Sequence, residues 1–362
     1  MSSGLFSTYS VRSATLRNRL WVSPMCQYAV DREDGVPTDW HLVHLGSFAR
    51  GGAGLVMTEA TAVTAEGRIS AEDTGLYSDE QRDAWARIVA FIHAQGTHAG
   101  IQLAHAGRKG STWREWGPQK GTRPVAEGGW QTVAPSPVPF GTLDPPREMT
   151  TREIADAVSA FAQAARSAVA AGFDVIEVHA AHGYLIHQFL SPLSNIRSDG
   201  YGGSLGNRAR LLVEVVSAVR AAVGESVPVF VRLSATDWAP EGEGGWDPEQ
   251  AATVARWAAD AGADLFDISS GGTLGRVDIP LGPGYQVHLA EYVRQQASVP
   301  VSGVGLISEP SQAEAIIAEG RTDAVMMGRQ LLRDPHFPLR AAHELGVPIG
   351  YFPRQYHRGA WR

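Results

Sequence analysis

Eight short apolar runs, each followed by a stretch long enough for a helix, constrain this chain more than any other feature of its sequence. The runs are Arg19–Met25, Gly54–Glu59, Ala99–Leu103, Asp174–His179, Val229–Leu233, Leu265–Ser269, Val299–Val304 and Ala324–Met327. Most carry Val, Ile and Leu at odd and even positions alike, the pattern of strands covered on both faces. Helix signals lie between them. Thr150 with Glu153 forms a capping box, and Gly172 ends that helix just before the fourth run. Asp247-Pro248 opens another helix and Gly262 closes it. Asp79–Gln95 and Ser311–Glu319 are two more, the second followed by Gly320. Eight strand–helix units predict an α/β chain folded as a single (β/α)8 TIM barrel domain over residues 1–362. The competing layout, an open doubly wound sheet, needs a reversal of strand order.

Two stretches break the rhythm. Gly107–Arg147 is long, polar and rich in Gly, Pro and Trp, and Thr236–Trp246 (TDWAPEGEGGW) is a shorter version. Loops of this size in a compact domain are usually functional caps, so the first is read as an extended capping loop after strand three. No linker divides the chain into two cores.

Composition narrows the function classes. Lys plus Arg number 31 against 38 Asp plus Glu, a net charge of −7, which argues against a nucleic-acid or anionic-membrane partner. Cys26 is the only cysteine, which excludes an intramolecular disulfide framework and any Cys-rich metal or iron–sulfur site and fits a reducing compartment. No run reaches the roughly 18 apolar residues of a membrane span. Met1–Asn18 lacks the apolar core of a secretory signal, so a cytoplasmic location is expected.

In such a barrel, chemistry gathers at the C-terminal ends of the strands. The runs end in Ser23-Pro24-Met25-Cys26, Glu59-Ala60, Gln102-Leu103-Ala104-His105 and His179-Ala180-Ala181-His182-Gly183-Tyr184. Arg232 interrupts the apolar run VFVRL, and a charge there needs a buried carboxylate or a bound anion as its partner. Gln102 poses the same question for an amide, and both could bond a polar heteroaromatic ring. Gly303, Gly305, Gly328 and Arg329 at the last two strands suit a phosphate cradle, or are simply turn residues. His179 and His182 are spaced to bind a metal or to donate two hydrogen bonds to one substrate oxygen, and the Tyr184 phenol is a usable general acid. Cys26 is either a small buried hydrophobe or a ligand contact.

These residues sit in the segments RNRLWVSPMCQY, TDWHLVHLG, GAGLVMTEATAV, EGRIS, IQLAHAGRK, GFDVIEVHAAHGYLIHQFLSPLSNIRSDGYGGS, NRARLL, FVRLSATDW, GPGYQV, VGLI, MGRQLLRDP and QYHRG. In that order, over nearly the whole chain, the sequence resembles the old yellow enzyme family of FMN-dependent ene-reductases. Its branch is that of the thermophilic-like ene-reductases and xenobiotic reductases. The resemblance implies noncovalent FMN at the barrel mouth, with Ser23, Pro24, Met25, Cys26, Ala60, Gln102 and Arg232 along the isoalloxazine and Gly305, Gly328 and Arg329 at the phosphate. Cys26 would tune the redox potential, and Arg232 would stand at the N1/O2 side. NAD(P)H, with NADPH preferred, would reduce the flavin. A small activated alkene (an unsaturated carbonyl, imide or nitro compound) would then take hydride at its β-carbon. His179 and His182 would bind its activating oxygen, Tyr184 would protonate the α-carbon, and Tyr28 would line the substrate pocket. Arg358 in QYHRG would reach the neighbouring subunit's site, implying a homodimer or homotetramer. The activity implied is that of an NAD(P)H dehydrogenase and 2-enoate-type alkene reductase, with no metal.

The capping loop is longer and richer in Trp and Gly than in compact members, and Trp113, Trp116 and Trp130 are read as parts of a lid. Three alternatives stand beside this reading. One is nitro or xenobiotic reduction as the main role. Another is a metal-dependent aldolase or hydrolase barrel using His179 and His182. The third is a flavin carrier without turnover. A dienoyl-CoA reductase, with extra domains and iron–sulfur cysteines, does not match a chain with one cysteine.

Overall fold

A computed structural model describes residues 4–240 and 242–361. Residues 1–3, 241 and 362 lie outside the description, and with them the start of the N-terminal stretch read for a signal, one position of the Thr236–Trp246 loop and the last residue of the tail. All eight expected strands form: β1 Leu20–Val22, β2 Leu55–Ala62, β3 His98–Ala104, β4 Val175–Ala180, β5 Val229–Ser234, β6 Leu265–Ser269, β7 Val301–Gly303 and β8 Ala324–Met327. Each pairs in parallel with its sequence neighbours, and β8 pairs with β1, so the sheet closes. The outer helices are α1 Asp39–Arg50, α2 Asp79–Ala94, α3 Thr151–Ala171, α4 Leu205–Val223, α5 Pro248–Asp260, α6 Val287–Ala297, α7 Pro310–Ala318 and α8 Phe337–Glu344, one after each strand, with short extra helices at Leu185–Leu190 and Arg329–Arg333. The open doubly wound layout is thereby excluded.

The local signals act as their chemistry requires. Glu153 N–H donates to Thr150 Oγ1 at 3.2 Å and Thr150 N–H to Glu153 Oε2 at 2.8 Å, closing the capping box of α3. Asp247 caps α5, with Pro248 in its first turn. Most strand ends fall within one residue of expectation, and the larger departures are in β1, β2 and β7. β1 and β7 are shorter than their apolar runs because Pro24 and Pro300 carry no N–H for the ladder. β2 runs on to Ala62 through a register shift between Met57 and Ala60, where Thr58 Oγ1 takes the Gln102 N–H that the ladder loses.

Alternation along the strands stacks the barrel interior in layers. The lowest is apolar: Trp21, Leu55, Met57, Val175, Phe230, Leu265, Ala324 and Met326 form one buried cluster. A short antiparallel hairpin, Tyr9–Val11 with Ala14–Leu16, closes it from below, and the Tyr9 ring meets the Trp21 ring at 5.6 Å. The middle layer is polar, with Ser23, Gln102, Glu177, Arg232, Asp267 and Ser302, all buried. Above it the strands open into the loops of the mouth.

The capping loop, residues 107–147, is anchored to the loops after β1 and β2. Trp116 Nε1 donates to Gln27 O at 3.0 Å, Trp130 Nε1 donates to Glu66 O at 2.9 Å, and Arg123 pairs with Glu33 at 2.9 Å. Its base is a small parallel pair, Val133–Ala134 with Arg147–Glu148.

Candidate active site

The middle layer answers the question posed by Arg232. Its partner is a carboxylate: Nε lies 2.9 Å from Asp267 Oδ2, and Nη2 donates to Ser23 Oγ at 3.0 Å. Asp267 also accepts from Ser302 Oγ at 3.0 Å. Gln102 donates from Nε2 to Glu177 Oε1 at 2.8 Å. The layer thus holds two carboxyls, Glu177 and Asp267, around one guanidinium. Burial pushes the Glu177 carboxyl up to about 8, helped by the neighbouring Asp267, so Glu177 is mainly a neutral acid at pH 7. Among the described residues, the Glu177 Oε2 atom has no hydrogen-bond partner, and neither Gln102 Oε1 nor Arg232 Nη1 is engaged. Unspent polar atoms on a buried floor are what a polar planar ligand above it requires.

A cavity of about 420 Å³ extends from Arg232 to Gly305, Gly328 and Arg329 between the ends of β5 to β8. Gly305 has φ +126°, and a Cβ there would lie 3.0 Å from the Tyr285 ring, so only glycine leaves this backbone open to a ligand. Arg329 is exposed and makes no ion pair with a described residue. A cavity with an arginine at each end, one on the axis and one at the rim, fits FMN: a ring at Arg232 and a phosphate at Arg329.

The imidazole pair stands beside this cavity. His179 closes β4 and is 3% exposed. Its ring centroid is 5.2 Å from that of His182 and 5.1 Å from that of Tyr184. Ala181 N–H donates to His179 Nδ1 at 3.3 Å, so the neutral ring carries its proton on Nε2. His182 Nε2 lies 2.7 Å from Ser269 Oγ of β6. Burial and the nearby Arg232 hold both imidazoles well below their ordinary value, so both are neutral. Burial raises the Tyr184 phenol well above its ordinary value, so it keeps its proton. The turn that carries these groups is tight. His182 has φ +58° and Gly183 φ +70°, and a Cβ on Gly183 would sit 2.1 Å from Gly272 O. Lys109 Nζ ties the same loops together, donating to His182 O at 2.8 Å and Gly272 O at 3.2 Å.

A second, wider cleft of about 750 Å³ opens above, lined by Tyr28, Lys109, Trp113, Phe140, Tyr184 and Arg276 among others. Cys26, Tyr28 and Tyr184 pack against Ala60, Ile69 and Ala104. Burial raises the Cys26 thiol well above its ordinary value, so Cys26 is a neutral thiol. Pro24 and Met25 continue β1 at the rim, and Met25 Sδ would be 3.4 Å from a Cβ on Gly328.

Of the residues expected at the flavin and substrate, all but Arg358 lie in the middle layer or at this mouth, whereas Trp116 and Trp130 of the expected lid line neither cavity. Arg358 is exposed on a 3-10 turn, Arg354–Gly359, and lines neither cavity of its own chain. In the same tail Trp361 stacks on His343, with ring centroids 5.2 Å apart. Sequence reading passed over Glu177, Asp267 and Lys109, and placed Ser269 at the end of the sixth strand without giving it a role. A single acid inside VIEVH or LFDIS carries the same signal as Arg232 inside VFVRL, whereas nothing local marks Lys109. Among the described residues no group of three His, Cys, Asp or Glu side chains is arranged to hold a metal, so the metal-barrel alternative lacks a ligand set.

An eight-stranded barrel whose mouth joins a two-arginine cavity to a buried imidazole pair and a phenol has the layout of a flavin-dependent oxidoreductase. A model of the NADH:flavin oxidoreductase / NADH oxidase family matches residues 4–347, and the chain belongs to that family. It is 46% identical over 361 residues to the NADPH dehydrogenase of Listeria innocua, covering 99% of this chain and 100% of that protein. Among solved structures it is similar to the old yellow enzyme homologue from Zymomonas mobilis, with TM-score 0.79 and 29% identity over 98% of each chain. It is also similar to morphinone reductase, with TM-score 0.78 and 29% identity over 96% of this chain and 91% of that one. The chain is thus an NAD(P)H-dependent oxidoreductase of old yellow enzyme type, with FMN and NADPH as its cofactors.

Proposed function

We propose that this oxidoreductase is an ene-reductase that saturates the carbon–carbon double bond of small alkenes activated by a carbonyl, imide or nitro group. The observation that carries the reading is the 5.1 Å approach of the His179 and Tyr184 rings, one a neutral donor with its proton on Nε2, the other a phenol that keeps its proton.

Bound FMN supplies the redox chemistry, passing hydride from NADPH to the β-carbon of the alkene. The residues do the rest. Ser23, Pro24, Met25, Cys26 and Ala60 would border the ring, with the unspent Gln102 Oε1 and Arg232 below available to hold its polar edge. Gly305 and Gly328 would admit the phosphate to the backbone, and Arg329 would pair with it. His179 donates from Nε2 to the activating oxygen, and His182, steadied by Ser269, stands beside it. Their hydrogen bonds draw charge from the alkene. Tyr184 gives its phenolic proton to the α-carbon from the face opposite the ring, which makes the addition trans. Tyr28 and the cap wall the substrate cleft. Arg358 completes the substrate site of a neighbouring subunit.

The test is a visible spectrum. The purified protein should be yellow, lose its band on anaerobic addition of NADPH, and regain it with 2-cyclohexenone. A colourless protein, or a bleached one that cyclohexenone leaves bleached, overturns the reading.

A further inference from the structure

The turn at residues 182–183 lies outside the ladder of β4, so its peptide groups need partners from elsewhere. Those of His182 come from other loops, its N–H donating to Ser234 Oγ at 3.0 Å and its O accepting from Lys109 Nζ, while a short helix, Leu185–Leu190, supplies those of Gly183. Gly183 N–H donates to His187 Nδ1 at 2.9 Å, and Gly183 O accepts from Gln188 Nε2 at 2.8 Å. Both side chains are fully buried. Because Nδ1 accepts from a backbone N–H, the His187 proton sits on Nε2, which lies 3.2 Å from Asp237 Oδ1. Asp237 comes from the Thr236–Trp246 loop after β5. Its other oxygen accepts from Ser191 Oγ at 2.6 Å and from Trp246 N–H at 3.0 Å. Thr273 Oγ1, from the loop after β6, lies 3.3 Å from His187 Nδ1. A buried His–Asp pair therefore joins the loops of three successive strands directly behind Gly183.

We propose that His187, oriented by Asp237, is a positioning residue for the ene-reductase reaction: it fixes the Gly183 peptide and thereby the mutual placement of His182 and Tyr184. The second irregular loop acquires a role in the same step, as the carrier of Asp237. The inference rests on the reading of His182 and Tyr184 given above. His187 touches no reactant, and its effect passes wholly through the backbone of Gly183. A displacement of the order of 1 Å in a proton donor costs about 100-fold in rate.

The experiment compares His187→Phe with His187→Gln, whose amide oxygen can still accept the Gly183 N–H. Both are measured as FMN-loaded protein, by three readouts: the rate of bleaching by NADPH, the rate of cyclohexenone reduction, and the spectroscopic affinity for 4-hydroxybenzaldehyde as a phenolate probe. His187→Phe should slow cyclohexenone reduction by about 10- to 100-fold and weaken the phenolate, with bleaching within about twofold of the parent. His187→Gln should recover most of both losses, and Asp237→Asn should fall between them. Equal loss in all three readouts, or equal loss in His187→Phe and His187→Gln, makes His187 merely structural and overturns the proposal. If His187→Phe does not fold, an Asp237→Asn protein with parental phenolate affinity and alkene rate overturns it instead. Parental alkene reduction in Tyr184→Phe would sink the underlying reading, a result separable from these.

Discussion

Tyr184 is useful as an acid only while its phenol stays protonated, and its burial among Cys26, Tyr28 and Ala60 keeps it so. Tyr184→Phe removes one oxygen and little packing. Cyclohexenone reduction should fall by about 100- to 10,000-fold, while bleaching by NADPH stays near the parental rate. Equal slowing of the two would remove Tyr184 from proton delivery. Glu177 gives a prediction of opposite kind, on stability. With its folded value near 8 and an unfolded value near 4.3, the folded protein holds a proton that the unfolded chain has released between those limits. That contribution is complete below about pH 4 and is lost as pH rises through 8. Glu177→Gln cannot titrate, so its Tm relative to the parent should climb from pH 5 to pH 9 and then level off. Parallel melting curves across that range would show Glu177 ionised throughout. Residues of this kind were legible in proportion to how far they violate their surroundings. Arg232 in an apolar strand announced a partner but not which one. Asp267 is 35 residues away in sequence, and only closure of the barrel brings the two within 2.9 Å.

Whole elements were easier to read than single side chains, because strand and helix patterns repeat over many residues while a contact depends on two. The eight strands, the capping box of α3 and the Asp247-Pro248 start of α5 all follow from local chemistry. The hairpin Tyr9–Leu16 was not read, since two three-residue strands carry too little periodicity to stand out. The capping loop was legible as a cap but not in its attachments, which depend on single indole N–H groups reaching carbonyls of other loops. Trp130 is one such attachment, with its N–H on Glu66 O and the Arg68 guanidinium 5.5 Å from its ring. Trp130→Ala removes that hydrogen bond and the stacking, worth about 1–2 kcal/mol together. The cap should then be cut faster by protease between residues 112 and 145, and the KM for bulky alkenes should change more than the rate of bleaching by NADPH. Unchanged cleavage would mean that the Arg123–Glu33 pair and the Trp116 bond hold the cap without it.

At the scale of the whole molecule the open question is whether one chain makes a complete site. Its own residues supply the buried polar floor, the two-arginine cavity, the imidazole pair and the phenol, yet the mouth above Tyr28 and Tyr184 stays a wide cleft of about 750 Å³. Arg358 is exposed and makes no ion pair with a described residue. If it serves a neighbour, two inactive variants can repair one another. In a mixed dimer of Arg358→Ala and Tyr184→Phe subunits, the site on the first subunit keeps its own Tyr184 and receives Arg358 from the second. The other site lacks both. Random exchange of equal amounts makes half of the dimers mixed, each with one intact site, so activity should return to about a quarter of the parental value under two-fold symmetry. Each variant alone should stay near its own low rate. If the mixture instead gives the mean of the two separate rates, with subunit exchange verified by a tag on one partner, Arg358 works within its own chain or not at all in the reaction. Expecting the larger value follows from burial: a site open on one side excludes water only when a second surface covers it, and an exposed cation on a short C-terminal turn is suited to arrive with that surface.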